Sequence, residues 1–197
     1  MKRFLITCSA ALMLTVVAGL VPALSQEGEG GEDPMAALAQ PGPQHKMLAE
    51  DAGNWTIEGK MWMPEGEKLI EMPMSGKSTM KMVYDRYLHE ELTIGEGEQA
   101  MKIQGYIGYD NSAQEYQCMY ISGMSTGMQV YSGSYDEKTK TMSFTLSWTD
   151  KGMGDMKRKS RVVSTKKSAD EALMSMYETF GDEPEMKVME MTYKRVK

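Results

Sequence analysis

Residues able to do chemistry are few in this 197-residue chain, and they are scattered. Its two histidines, His45 and His89, fall in separate stretches. Zinc sites draw on several His, Cys or carboxylate ligands, so no metal site is expected. Ser125 or Thr126, between Gly123 and Gly127, offers a nucleophile with either histidine as base. The strand-to-helix setting of G-x-S-x-G is missing there, and the glycines read as turn backbone. Alternation sets His89 beside Tyr87, Glu91 and Thr93 on a wet face, away from any haem. Arg86 and Glu90, by contrast, share a face with Leu88 and Leu92. Were that face interior, the pair would orient a ligand's polar head or form a compensated ion pair; on a twisted strand both would meet solvent. The run Lys157-Arg158-Lys159 with Arg161 lacks interleaved aromatics and reads as a solvated face, not as a nucleic-acid interface. No catalytic residue, metal or cofactor is expected, and the chain is read as a non-enzyme.

Methionine is the conspicuous residue: 22 in all, several in M-x-M pairs that share one strand face. Unbranched and polarizable, it fills irregular interiors, and the same soft lining accommodates variable apolar guests. Thioethers also select Cu(I), for which Met61-Trp62-Met63 and Met119, Met124 and Met128 are the places to look. No His joins these groups, and Cys118, next to Met119, falls on the opposite strand face.

The elements that must position these residues begin after a targeting segment. Lys2 and Arg3, an apolar run from Phe4 to Val21, and small Ala23 and Ser25 form the pattern of a cleaved signal peptide over residues 1–25. An exported protein is expected, periplasmic or extracellular, with no membrane span after cleavage. Loss of Lys2 and Arg3 takes the formal charge from −6 to −8, which disfavours nucleic acid and anionic lipid as partners. Cleavage also removes Cys8 and leaves Cys118 without an intrachain partner, so the core alone must stabilise the domain. Residues 26–43, acidic and rich in Gly and Pro, read as a flexible linker, and residues 44–197 as a single domain. Its first stretch, Gln44 to Asp51, reads as one or two helical turns stopped by Gly53.

From Trp55 onward the hydrophobic period is two. Trp55, Ile57, Gly59, Met61 and Met63 oppose Thr56, Glu58 and Lys60; Met72, Met74, Ser78, Met80 and Met82 oppose Glu71, Lys77 and Lys81. Pro73 places part of this second run at an edge or bulge. Eight further runs follow, ending in Lys187–Val196, and Asp110-Asn111 and Asp136 supply turn chemistry between neighbours. Closing such a meander removes its exposed edges, so the expected fold is an all-β antiparallel barrel of about ten strands with a short N-terminal helix. Its inward set is then Trp55, Ile57, Met61, Met63, Met72, Met74, Met80, Met82, Met101, Met142, Phe144, Met189 and Met191. Cys118, sharing a face with Tyr116 and Tyr120, is expected to be buried.

Gly53-x-Trp55 after a short helix resembles the head of the first strand in lipocalins and related calycin barrels. In that group a basic residue of the last strand covers the Trp, a resemblance that singles out Arg195. Pro43-Gln44-His45-Lys46-Met47-Leu48, Gly105-Tyr106-Ile107-Gly108-Tyr109-Asp110-Asn111 and Met124-Ser125-Thr126-Gly127-Met128 are similar to the bacterial domain-of-unknown-function family 1579. The resemblance runs from about His45 to Arg195 and implies a secreted calycin-like barrel, with no activity attached. The expected function is binding of a small hydrophobic or amphipathic molecule by the Met-lined interior and Arg195. The alternatives are a filled structural or interaction module and a Cu(I)-binding protein.

Overall fold

The computed structural model describes residues 33–197 apart from Glu67, and Pro34–Lys197 form one compact unit. The expected signal peptide and the first part of the expected linker lie outside the described residues. Two short helices, α1 (Pro34–Leu38) and α2 (Pro43–Ala49), precede ten strands. These are β1 (Gly53–Glu65), β2 (Lys68–Val83), β3 (Tyr87–Ile94), β4 (Met101–Asp110), β5 (Glu115–Ser122), β6 (Gln129–Asp136), β7 (Thr141–Asp150), β8 (Met156–Ser168), β9 (Glu171–Phe180) and β10 (Met186–Arg195). Each pairs antiparallel with its chain neighbours, and β1 also pairs with β10, so the meander closes into the expected barrel. Among the described residues no helix is long and apolar enough to cross a membrane.

Short turns fix the register. Tyr84 and Asp85 both take positive φ, 54° and 56°, in a three-residue hairpin loop, Tyr84 to Arg86, closed by Arg86 N–H donating to Val83 O. Asp110 Oδ1 accepts from the amides of Ser112 and Ala113, and Asp136 Oδ1 from those of Lys138 and Thr139, as turn chemistry required. Asn111 does something else: its Nδ2 donates to the carbonyls of Leu38 and Gln40. Arg86 Nη2 donates to Ala39 O at 2.6 Å. The later part of the stretch read as a flexible linker is therefore helical at α1 and tied to the barrel by two side chains that composition could not assign to it.

One end of the barrel is closed by α2. Leu48 is 2% exposed and packs with Leu88, Tyr116, Cys118, Tyr131 and Phe144. His45 is buried; its Nδ1 accepts from Gly42 N–H at 2.9 Å, so Nε2 carries the proton donated to Tyr109 O at 3.1 Å. This histidine joins α2 to β4. At the same end Arg195 covers the Trp55 ring at 4.2 Å and donates to the carbonyls of Ala52 and Glu50, both at 2.7 Å. Gly53 makes room for it: a Cβ there would collide with the Arg195 guanidinium, and the φ of 144° favours glycine. These contacts account for the spacing of Gly53, Trp55 and Arg195.

At the other end the β1–β2 hairpin outruns its neighbours. Pairing of β1 with β10 stops at Met61, and pairing of β2 with β3 starts at Gly76. Pro73 lies in this overhang, paired with β1 alone on one side, so its missing N–H costs no ladder bond. A second cluster, Trp55, Ile57, Leu92, Ile94, Met191 and Tyr193, forms the core under this mouth.

Candidate functional site

Register and burial decide which side chains enter the lumen. On β3 these are Leu88, Glu90, Leu92 and Ile94; on β10, Met189, Met191 and Tyr193. Glu90 is the residue the sequence reading half anticipated. It is 3% exposed and accepts from Ser78 Oγ at 2.7 Å, from Tyr120 Oη at 3.2 Å and from the Tyr193 hydroxyl. Its supposed partner is elsewhere: Arg86 stands in the β2–β3 turn and donates outward to Tyr84 O and Ala39 O. Alternation does not continue through a turn.

The three hydroxyls come from β2, β5 and β10, so Glu90 is a hub joining distant parts of the wall. Tyr120 reaches it by lying over β4 at Gly105, where a Cβ would collide with the ring. Tyr193 reaches it across the interior from a strand separated from β3 by β1 and β2. Among the described residues no cation contacts the Glu90 carboxyl. Desolvation raises its pKa, and the three hydroxyl donors only partly oppose that. Cys118, one position toward the closed end, is buried and its thiol is pushed up to about 12, by burial first and by the Glu90 charge second.

A second buried acid, Glu178 on β9, is built differently. Arg158 Nη2 donates to it at 3.3 Å and Arg158 Nη1 to Asp150 at 3.3 Å. The guanidinium lies over Trp148 at 4.9 Å and over Phe180 at 4.4 Å. Ser160 also hydrogen-bonds Glu178, and Tyr131 Oη lies 3.3 Å from Ser160 Oγ. The basic run is therefore split by strand alternation: Arg158 turns inward, while Arg161 pairs with Glu185 and stacks on Tyr177 on the outside.

Mouthward of the Glu90 hub the wall becomes thioether. Met72, Met61, Met189 and Met176 occupy one continuous cross-strand rung over β2, β1, β10 and β9, and Met74, Gly59, Met191 and Met174 the next. Met61, Met74, Met101, Met174, Met176 and Met189 point inward yet are only half-buried. Met63 and Met72, assigned to the interior from alternation, stand on the overhanging hairpin and are 46% and 42% exposed. Met80, Met82, Met142 and Phe144 belong to the packed closed end, around Leu48. Trp55 and Ile57 are buried in the second cluster, with Leu92, Met191 and Tyr193, and Arg195 covers the Trp55 ring.

The remaining candidates are not brought together. Ser125 and Thr126 sit in an exposed mouth loop, His45 under the closed end, and His89 on the outer wall, where it stacks on Tyr106 at 4.6 Å. His89 is nonetheless 6% exposed rather than wet. Met119 faces outward opposite Val130, and Met124 and Met128 are exposed, so they form no thioether cluster with Met61. Among the described residues no three His, Cys, Asp or Glu side chains converge as metal ligands. A cleft of about 440 Å³ lies outside the lumen, between the segment at Leu38–Gln40 and the outer wall at Tyr87, Tyr106 and Val130.

A closed antiparallel barrel, plugged by a helix at one end and holding a polar hub beneath a soft apolar mouth, is the class of protein that fold and site define. The chain belongs to the family described as "Protein of unknown function (DUF1579)", whose model matches residues 40–195. Its fold is similar to the crystal structure of Rv2717c from M. tuberculosis, at 11% identity and a TM-score of 0.58, covering 80% of this chain and 100% of that one. At that identity the likeness concerns the fold alone. No curated protein matches the chain.

Proposed function

We propose that this is an exported, non-enzymatic binding protein whose barrel takes up a small apolar or amphipathic molecule through the Met-lined mouth. One observation carries the reading: Met61, Met74, Met174, Met176 and Met189 face the lumen but remain half-buried, whereas Leu48 and its neighbours Leu88, Tyr116, Cys118, Tyr131 and Phe144 are packed away from water. Inward side chains that keep accessible surface border unfilled space, and flexible thioethers can rearrange around differently shaped guests at little cost. A neutral apolar fluorophore should bind saturably and raise thermal stability with its concentration over Kd. Met74→Glu with Met189→Glu should abolish both effects, because each places a charge where no cation compensates it. Absence of binding, or unchanged binding by a folded double variant, overturns the reading.

A second reading rests on the rung Met72, Met61, Met189 and Met176, which offers four thioethers from adjacent strands to Cu(I). Stoichiometric Cu(I) uptake without uptake of apolar probes would favour it.

A further inference from the structure

Resting on the proposal that the lumen binds an amphipathic molecule, we infer that the ligand's polar end is a protonated amine seated on Glu90. The argument is one of charge complementarity inside the barrel. Each inward-facing cation already has partners: Arg158 holds Asp150 and Glu178, Lys166 holds Glu50 and Asp51, and Arg195 is spent on backbone carbonyls over Trp55. A carboxylate or phosphate head entering the lumen meets no inward-facing cation without partners among the described residues; the one unpartnered N–H of these groups, Arg158 Nε, is buried beside Glu178 and Asp150, whose charges oppose an anion. Glu90 is the converse case, an interior acid whose neighbours are Ser78, Tyr120, Tyr193 and Cys118, none of them cationic. An ionised carboxylate has about four lone-pair positions. The three hydroxyls occupy three of them, which leaves a place for one N–H donor.

Position agrees with this. Along β10 the inward residues run Tyr193, Met191, Met189 toward the mouth, and along β2 they run Ser78, Gly76, Met74. An apolar tail would therefore lie among thioethers with its charged end on the hub beneath them. Buried opposite charges attract strongly where the dielectric is low, so an ammonium also relieves the desolvation that disfavours ionised Glu90. When Glu90 is protonated beforehand, the ammonium displaces its proton to solvent; Cys118, Tyr120 and Tyr193, the other titratable groups facing it, stay protonated throughout.

The test compares dodecylamine, dodecanol and dodecanoate, each below its micellar concentration, as competitors of a neutral fluorophore at about pH 8, where the amine remains charged. Dodecylamine should compete at concentrations about tenfold lower than dodecanol, with dodecanoate weakest. Glu90→Gln should bring amine and alcohol together while leaving the alcohol unchanged. As a measurement independent of any variant, calorimetry at about pH 5 in buffers of different ionisation heat should show proton release with the amine and none with the alcohol. Equal competition by amine and alcohol, an amine preference that survives in Glu90→Gln, or no proton release overturns the head-group assignment while leaving the lumen reading intact. Failure of all three compounds to compete overturns the lumen reading and this inference together.

Discussion

Glu90 and Glu178 are both acids of the barrel interior, 3% and 7% exposed, and the protein gives them different partners. Glu178 sits beside Arg158, whose guanidinium is held between Trp148 and Phe180 and shared with Asp150. Its charge has a cation beside it, although desolvation still raises its pKa against the pull of Ser160 and Arg158. Glu90 is compensated by hydroxyl dipoles alone, and desolvation raises its pKa despite them. The comparison teaches where the interior is finished and where it is not. The Arg158 pair supplies its own cation at the rim, while the Glu90 hub leaves a charge that only a proton or a bound cation can balance.

The largest break in this comparison comes from removing the guanidinium. Arg158→Met leaves Glu178 and Asp150 without their shared cation, and we expect a loss of about 3 kcal/mol in urea unfolding at about pH 7, largely restored by adding Glu178→Gln. If the single variant is as stable as the parent, the two acids do not differ as argued. Next is Gly105→Ala, which forces the Tyr120 ring off β4; overpacking of this kind costs about 2 kcal/mol. It should also raise the Glu90 pKa further, because a donor to the carboxylate is withdrawn, as infrared titration of the carboxyl band would show.

A smaller effect with an unusual sign is expected from Glu90→Gln. The folded pKa of Glu90 lies above its ordinary value of 4.5, so between the two values the native state binds more proton than the unfolded chain. The contribution of Glu90 is fully present below about pH 4.5 and is lost as pH rises through the folded value. Glu90→Gln should remove that decline, leaving a variant at least as stable as the parent at about pH 8 and flatter in urea midpoint against pH. A steeper decline in the variant would contradict the assignment. The smallest effect is on Cys118. With its pKa pushed up to about 12, the thiol should stay unreactive toward a disulfide reagent at about pH 8 until the protein is unfolded, and Glu90→Gln should change this little because burial is the leading cause.

Much of the frame was legible beforehand. Runs of period two marked all ten strands, and Asp110 and Asp136 marked their turns. Even the pairing of Arg195 with Trp55 followed from a resemblance at Gly53-x-Trp55. Errors arose where a strand pattern was carried past the ladder that sustains it. Arg86 kept the parity of Leu88 and Glu90 on paper, but it stands in the turn after Asp85 and reaches out to Ala39. Met63 and Met72 kept the inward parity, but Met63 rises beyond β10 and Met72 beyond β3, which leaves both open to solvent. Tyr120 was read only as a neighbour of Cys118 and Arg158 only as part of a solvated run, and neither Tyr193 nor Glu178 was given a site role, because nothing in a local window distinguishes a side chain that packs from one that reaches across a barrel.

What the sequence by itself determined is therefore the strand count, the antiparallel order and which residues share a face, since alternation and turn residues act over a few neighbouring positions. Only the tertiary structure decided what those faces meet. Closure of β1 on β10 brings the hydroxyl of Tyr193 to Glu90, and α2 makes one end solid while leaving the methionines at the other end half-buried. These contacts depend on how far side chains extend across a lumen whose walls come from opposite ends of the chain, a distance set by the closed barrel and by no local pattern.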